Sequence, residues 1–343
     1  MDFSRPDNAR QINRLRILNI LRQEKLSRAE LSREILLSKV SISDIVESLL
    51  KDGYIVNANI DRMTAGRPAT KLEINKNAGR AFAVEIKQSN VSVSISDALG
   101  RPLRFERFPR RDEMWQDIIS MIDKLSQGNK VLGVCFVLSE NIDIPKLPFK
   151  YTTTTASIAQ AKSEISIANT SLDNFYFVSW SDTIEAVFYN KNLIPIKSFA
   201  HMKVTKDAPC VCGSTGCLDA VASGYALKKK TGITNLRDLL ETNEIKESAK
   251  SMVFAISQAV QATGAKAVMI LGELSKLSDD IYASMQTRLS LLLPPDRDDV
   301  FIYRSQCGER GSREGAAIIA LEKFFYHTDI IDSLSALERE SLS

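Results

Sequence analysis

The sequence predicts an α/β protein in which a winged helix-turn-helix head precedes a two-lobed body. Three observations support this prediction. Three helical segments, followed by a glycine-proline loop between two strands, fill residues 1–78. Strand hairpins followed by strand–helix alternation then occur twice, and the helices predicted in the second half of the chain include residues 219–230 and 311–325. Finally, one histidine and three cysteines lie within residues 201–217, a combination that predicts a metal site.

Length and composition set the limits of this prediction. The chain of 343 residues is long enough for two or three domains, and we expect a head at 1–78, a body at 79–325 and a helical tail at 326–343. No apolar run approaches the roughly 20 residues of a membrane span, and the first residues lack the apolar core of a signal peptide. These features predict a cytoplasmic protein that does not span a membrane.

Charge is distributed unevenly along the chain. Residues 1–80 carry 15 Lys and Arg against 10 Asp and Glu, whereas the whole chain has a net charge of +3. The remaining residues are therefore net negative. A basic head on an acidic body favours nucleic acid as the partner of the head, although an excess of this size also occurs on solvated surfaces.

The first two helices of the head are indicated by periodicity and by a cap. Apolar residues recur at helical spacing over residues 10–23. Ser27 and Glu30 then have the spacing of a capping box, in which each side chain accepts a hydrogen bond from the other residue's backbone. The sequence therefore predicts a second helix that starts after Ser27 and ends near Ile35.

The third helix is the expected recognition helix. Ser38 is placed to cap it, its apolar positions include Val40, and Gly53 is placed to end it. The N-terminal residues of such a helix enter the major groove of DNA. The residues that we expect to contact DNA from this helix are Lys39, Ser41, Ser43 and Asp44.

A wing is predicted after the third helix. Residues 54–60 and 69–75 have the pattern of two strands, and the loop between them contains Gly66 and Pro68. Arg62 and Arg67 lie in this loop, where an arginine is able to enter a narrow minor groove. The alternative for residues 1–78 is a three-helix module that binds another protein.

The cysteine cluster predicts a structural zinc site. Zn²⁺ takes four thiolate or imidazole ligands in a tetrahedron, and four protein ligands leave no open position for catalysis. Gly213 and Gly216 permit the positive φ angles of a tight loop around a metal. The alternatives are free cysteines beside a surface histidine, or a disulfide. The predicted ligands of one zinc ion per chain are His201, Cys210, Cys212 and Cys217.

These features together resemble a known family. The winged helix, the three-stranded start of the body and the Cys-x-Cys-Gly-x-x-Gly-Cys-Leu-acid motif at residues 210–219 look like the ROK family of repressors, open reading frames and kinases. The Gly-Arg-Pro-Ala segment at residues 66–69 is similar to its regulator branch, which includes repressors that respond to xylose, N-acetylglucosamine and glucose. The resemblance implies an actin-like (ribonuclease H-like) sugar-kinase fold, and zinc at the cysteine cluster.

The chain departs from the kinase members of that family at each position that carries chemistry. Their Gly-Gly-Thr phosphate loop corresponds to Lys87–Asn90, which has no glycine. Their catalytic Asp corresponds to Thr170, after Asn169, and a threonine has no carboxylate to accept a proton. Ser198 and Asp219 stand where the resemblance implies two sugar-binding glutamates. Asn169, Ser198 and Asp219 remain candidate ligand-binding residues.

The sequence therefore predicts a transcriptional regulator and not an enzyme. We expect a repressor of sugar-utilisation genes that binds an inverted repeat in double-stranded DNA as a homodimer or a dimer of dimers. Its body would serve oligomerisation and could bind a small sugar effector. The alternatives are a sugar kinase with a regulatory head and a zinc-stabilised protein-interaction module.

Overall fold

The computed structural model of the protein describes residues 6–58, 70–167, 173–297 and 299–331. The chain divides into two compact units, Met1–Thr153 with Ala316–Ser343, and Thr154–Gly315. The domain boundaries expected from the sequence stay predictions. Among the described residues, no helix is both long enough and apolar enough to cross a membrane.

The head consists of three helices and a small antiparallel sheet. Its elements are α1 (Pro6–Gln23), β1 (Leu26–Ser27), α2 (Arg28–Ile35), α3 (Lys39–Lys51), β2 (Ile55–Asn57) and β3 (Lys71–Ile74). The strand order is β1-β3-β2. The three predicted helices and the two predicted strands are all present. The sequence analysis missed β1, since two residues are too few to show a period.

The first lobe lies in the same unit as the head. Its elements are β4 (Arg80–Ile86), β5 (Asn90–Ser96), β6 (Pro102–Pro109), α4 (Met114–Ser126), β7 (Val131–Leu138) and β8 (Tyr151–Thr154). The strand order is β6-β5-β4-β7-β8. Strands β4, β5 and β6 pair antiparallel, and β7 adds to β4 in parallel. Helix α4 covers one face with Met114, Ile118 and Ile122.

The second unit repeats this arrangement. Its elements are α5 (Ala156–Ile167), β9 (Phe175–Trp180), β10 (Ile184–Asn190), β11 (Asn192–Pro195), α6 (Leu218–Ala222), α7 (Gly224–Thr231), α8 (Asn243–Thr263), β12 (Ala267–Leu271), α9 (Asp279–Leu292) and β13 (Phe301–Arg304). Helix α10 (Gly311–Leu321) begins in this unit, and its residues from Ala316 onward belong to the first unit. The strand order is β11-β10-β9-β12-β13, so each strand takes the place of its counterpart in the first sheet. The prediction of two similar α/β lobes is confirmed.

Two helical predictions need correction. The helix expected over residues 219–230 is interrupted at Ser223, whose backbone is extended and whose hydroxyl caps α7 by accepting from the backbone N–H of Ala226 at 3.2 Å. The helix expected to reach Phe325 is α-helical only to Leu321. Its last turn, Glu322–Tyr326, is a π-helix, a form that occurs mostly as single turns.

Helix α5 was not predicted because its buried face is partly polar. Glu164 is buried, and its carboxylate accepts hydrogen bonds from the Ser305 hydroxyl and from the backbone N–H of Cys307 at 3.0 Å. Ser157 and Ser163 are also buried on this helix. A helix that buries hydrogen-bonded polar groups lacks the apolar period by which sequence analysis recognises helices.

The π-helical turn joins the head to the first lobe within the first unit. The backbone carbonyl of Tyr326 accepts a hydrogen bond from Asn19 at 2.8 Å, and its hydroxyl donates to the carbonyl of Ala98 at 2.8 Å. Arg22 pairs with Glu322 at 3.1 Å, and its guanidinium lies 4.8 Å from the centre of the Tyr326 ring. One short segment therefore contacts α1 on one side and the lobe on the other.

Candidate functional site

The turn of the helix-turn-helix is fixed by local hydrogen bonds. Ser27 caps α2 by accepting from the backbone N–H of Glu30 at 3.3 Å, and the Glu30 carboxylate accepts from the backbone N–H of Ser27 at 2.7 Å. The second of these bonds, more than any other contact, lowers the pKa of Glu30. Helix α2 ends at Ile35, the next residue, Leu36, has a left-handed conformation, and the Ser32 hydroxyl donates to the carbonyl of Leu37 at 2.6 Å.

Helix α3 is anchored on its buried side and open on the other. Ser38 caps it by accepting from the backbone N–H of Ser41 at 3.1 Å, and Gly53 follows its end with φ +73°. The buried residues of the helix are Ile42, Ile45, Val46 and Leu49. Of the predicted DNA contacts, Lys39, Ser41 and Asp44 are exposed and Ser43 is half-buried.

Val40 differs from the other apolar residues of α3. The sequence analysis counted it among the apolar positions of the helix, and its side chain is 72% exposed. The helical period explains the difference, since the buried positions at Ile42, Ile45, Val46 and Leu49 define a face from which Val40 points away. The sequence analysis missed this exposed side chain.

The predicted wing is only partly described. Strands β2 and β3 pair antiparallel, with Ile55 opposite Ile74 and Asn57 opposite Leu72, as the two strands of a wing should. Arg62 and Arg67 lie outside the described residues.

The four predicted metal ligands are brought together in the second unit. Their donor atoms all lie within 4.8 Å of one another. The Sγ atoms of Cys212 and Cys217 are 3.7 Å apart, and the Sγ of Cys210 is 3.6 Å from the Nδ1 of His201. Tetrahedral zinc with ordinary bond lengths places two sulfur ligands about 3.8 Å apart, and a sulfur and a nitrogen ligand about 3.6 Å apart. The donor set and its spacing therefore fit a tetrahedral zinc ion, and the cysteines are unpaired thiols.

The loop that carries these ligands is shaped by its glycines. Gly213 and Gly216 have φ of +84° and +75°, as the sequence analysis expected. A Cβ on Gly216 would lie 1.9 Å from the carbonyl oxygen of Thr205, whereas a Cβ on Gly213 would meet nothing within 4 Å. The backbone of the loop therefore approaches itself closely at Gly216, where its N–H donates to the carbonyl of Ala208 at 2.7 Å.

The thiols of this cluster differ in environment. Cys212 is exposed, and the N–H of Ser214 lowers the pKa of its thiol. Cys217 is buried, and burial raises the pKa of its thiol to about 11. Lys203, which the sequence analysis did not select, lies 3.9 Å from the Sγ of Cys217 and also donates to Ser214 and to the carbonyl of Thr215. A bound cation deprotonates a coordinating thiol, so both thiols would serve as thiolate ligands.

The remaining candidate residues do not form a described ligand site. Asn169 and Thr170 lie outside the described residues. Ser198 is exposed and precedes the short 3₁₀ turn that ends at His201. Asp219 accepts a hydrogen bond from the backbone N–H of Ile184 at 3.3 Å, and burial raises the pKa of its carboxyl group. Asp219 therefore has a structural contact whether or not it binds a ligand.

The turn at Lys87–Asn90 is tight. The backbone N–H of Lys87 donates to the carbonyl of Asn90 at 2.9 Å, and only Lys87, Gln88 and Ser89 lie between β4 and β5. A loop that cradles phosphate presents several backbone N–H groups to the anion, and glycine allows the close approach. This turn has no glycine.

Comparison with known protein families finds a match within the second half of the chain. Residues 197–323 match the ROK family. The chain is 23% identical to a xylose repressor from Caldicellulosiruptor bescii over 267 residues, which covers 64% of this chain and 65% of that repressor. The chain therefore spans about two thirds of the length of that curated relative.

Solved structures share the fold. A ROK family transcriptional regulator, a homolog of the E. coli MLC protein, superposes with a TM-score of 0.78 at 17% identity and covers 94% of this chain and 99% of its own. A ROK hexokinase from Thermus thermophilus superposes with a TM-score of 0.60 at 13% identity and covers 71% of this chain and 99% of its own. The predicted fold class is confirmed. Repressors and kinases both occur among these relatives.

Proposed function

We propose that this chain, which carries a ROK family domain, is a DNA-binding transcriptional regulator that represses sugar-utilisation genes. The observation that carries the proposal is the first turn of α3. It is capped by Ser38, it presents Lys39 and Ser41 to solvent, and it follows a tight turn in a helix-turn-helix with an adjoining antiparallel hairpin. This is the arrangement that places side chains in the major groove.

The partner in this proposal is double-stranded DNA that contains an inverted repeat. Two heads of a homodimer, or of a dimer of dimers, would occupy half-sites about one helical turn apart or a multiple of it. Lys39, Ser41, Ser43 and Asp44 would contact bases or flanking phosphates, while Arg62 and Arg67 would contact DNA from the wing. The similarity to a xylose repressor supports a sugar or sugar derivative as effector, with Asn169, Ser198 and Asp219 as its candidate contacts.

The metal in this proposal is one structural zinc ion per chain. Its ligands would be His201, Cys210, Cys212 and Cys217. The ion would cross-link the loop and would take no part in a reaction. Their spacing supports this assignment, since the two measured ligand–ligand distances match those of tetrahedral zinc.

The body is proposed to lack kinase activity. The support comes from the tight, glycine-free turn at Lys87–Asn90 and from Thr170 in place of a catalytic carboxylate. A sugar kinase with a regulatory head is the second candidate, because a hexokinase shares the fold of the body. Incubation of the full chain with ATP and glucose, xylose, mannose or N-acetylglucosamine distinguishes a regulator from a kinase. Phosphorylation of any of these sugars at a rate near the usual 1–100 s⁻¹ of kinases would favour the kinase.

Selection of genomic DNA fragments by the purified full chain tests the proposed function. We expect fragments that share an inverted repeat, and we expect Lys39→Ala to weaken binding while leaving the protein folded. Sugars added to the recovered complex would then identify the effector by release of DNA. If the full chain enriches no fragment at low salt, where phosphate contacts are strongest, the regulator proposal is wrong and a protein-interaction module replaces it.

A further inference from the structure

Two large apolar side chains are strongly exposed among the described residues of the head. Leu36 is 88% exposed and Val40 is 72% exposed. They lie on either side of Ser38, at the end of the turn and in the first turn of α3. Leaving such side chains in water gains nothing for folding, so their position at the proposed DNA-binding end of the helix needs a reason.

The two exposed side chains differ in how far the local backbone restricts them. Leu36 has φ 59° and ψ 37°, a conformation that non-glycine residues rarely adopt. Val40 is β-branched, and such a side chain has one strongly preferred rotamer in a helix. A rigid side chain loses little conformational entropy on binding, so Val40 is well suited to contact a small apolar group.

The surroundings of Val40 restrict what that group is. Lys39 and the N-terminal end of α3 supply positive charge and partial positive charge next to it. Asp44 and Glu47 follow on the exposed side of the same helix, so within the first three turns of α3 the basic side chain lies in the first turn. Two apolar side chains make a patch smaller than the several hundred Å² typical of a protein docking surface. The occupant is therefore a small apolar group beside a dense negative charge.

The major groove of DNA offers one such group. Of the four bases, thymine alone presents a methyl group there, and phosphates line the groove on both sides. We propose that Val40 contacts the C5 methyl group of a thymine in each half-site and thereby determines specificity at that position. This inference rests on the proposed function, and Leu36 provides a second apolar surface beside it.

Replacement of thymine by uracil in the recovered operator tests this contact, because it removes the methyl group and nothing else. Each thymine is replaced singly, and affinities are measured by fluorescence anisotropy with the full chain. Burial of one methyl group corresponds to about a fourfold change in affinity. We expect the wild-type protein to lose about fourfold at one thymine of each half-site and to be indifferent at the others.

Val40→Ala should weaken binding to the intact operator by a similar factor and should make the protein indifferent to uracil at that position. Alanine has the highest helix propensity, so this exposed variant should fold, and far-UV circular dichroism checks it. Val40→Thr keeps the branched shape and is a second variant. Leu291→Ala is the matched control, because Leu291 is an 81% exposed apolar residue on α9 in the second unit. The affinity of this variant for the operator should equal that of the wild-type protein.

A complementary operator carries cytosine in place of the sensitive thymine. Methylation of that cytosine at C5 restores the methyl group, and we expect it to recover part of the lost affinity for the wild-type protein and none for Val40→Ala. The inference is overturned if the wild-type protein binds the operator but no uracil weakens binding, or if Val40→Ala keeps the full sensitivity. Failure of the full chain to bind any DNA would instead contradict the proposed function.

Discussion

The helix-turn-helix of the head and the cysteine loop of the second unit both present functional side chains, but different forces hold them. In the head, two serine caps set the ends of α2 and α3, and the faces between them are buried in an apolar core. The cysteine loop has isolated β-bridges, at Lys203 with Cys217 and at Pro209 with Thr215, and its middle residues 211–215 are exposed. A segment with so little buried surface depends on its glycines and, as we propose, on a metal. The head should therefore tolerate single substitutions that the loop does not.

The largest effect is expected from loss of a ligand in the cysteine loop. Cys212→Ser should reduce zinc from about one ion per chain to almost none, as measured by elemental analysis, and should expose the loop to proteolysis. Structural zinc contributes on the order of 10 kcal/mol of binding free energy in small domains, so no substitution of a loop residue other than the four ligands should match it. Val211→Ala is the matched control, because Val211 is 85% exposed between two ligands and should retain the metal. Purified wild-type protein without zinc would contradict the assignment.

A smaller effect is expected from the glycines of the same loop. Gly216→Ala should lower the free energy of unfolding by about 3 kcal/mol, because the new Cβ would collide with the carbonyl oxygen of Thr205 and because alanine resists a positive φ. Gly213→Ala should cost only about 1 kcal/mol, since it has the positive φ without the collision. Thermal unfolding of both variants separates the collision from the backbone strain. Equal losses would show that the close approach at Gly216 is unimportant.

In the head, loss of a cap should be milder. Ser27→Ala should cost about 1 kcal/mol, the usual value for an N-cap, because the backbone N–H of Glu30 loses its acceptor. Ser43→Ala is the matched control on α3, where the residue follows the cap and alanine favours helix, so stability should be unchanged or slightly higher. Urea unfolding at neutral pH measures both. A loss for Ser27→Ala as large as that for Gly216→Ala would break the contrast between the two regions.

The smallest effect concerns pH. The pKa of Glu30 is lowered in the folded head, so its carboxylate adds stability that is present above the unfolded pKa of about 4.3 and is lost as the pH falls through the folded value. Glu30→Gln should therefore destabilise the protein by about 0.5 kcal/mol at pH 7 and by less at pH 4. Urea unfolding at pH 4, 5 and 7 tests this. A larger destabilisation by Glu30→Gln at pH 4 than at pH 7 would contradict this prediction.

Local signals explain why the head and the metal site could be predicted from the sequence. Ser27, Ser38 and Gly53 set helix ends through bonds to near neighbours, and the cysteines bind within a short loop, so spacing along the chain reveals both. The sequence could not reveal α5, where Glu164 is satisfied by residues more than a hundred positions away. It also could not reveal the exposure of Val40, because an apolar residue in a helix is assigned to the core until the buried face is known.

The π-helical turn at Glu322–Tyr326 has a consequence for how the protein is made. Its bonds to Asn19 and Arg22 in α1 link residues at least 300 positions apart in sequence. Chains emerge from the ribosome at roughly 5–20 residues per second, so α1 is synthesised about 15 seconds or longer before these partners. The contacts between this turn and α1 therefore form only after the body has been translated, and chains that are released before residue 322 would lack them.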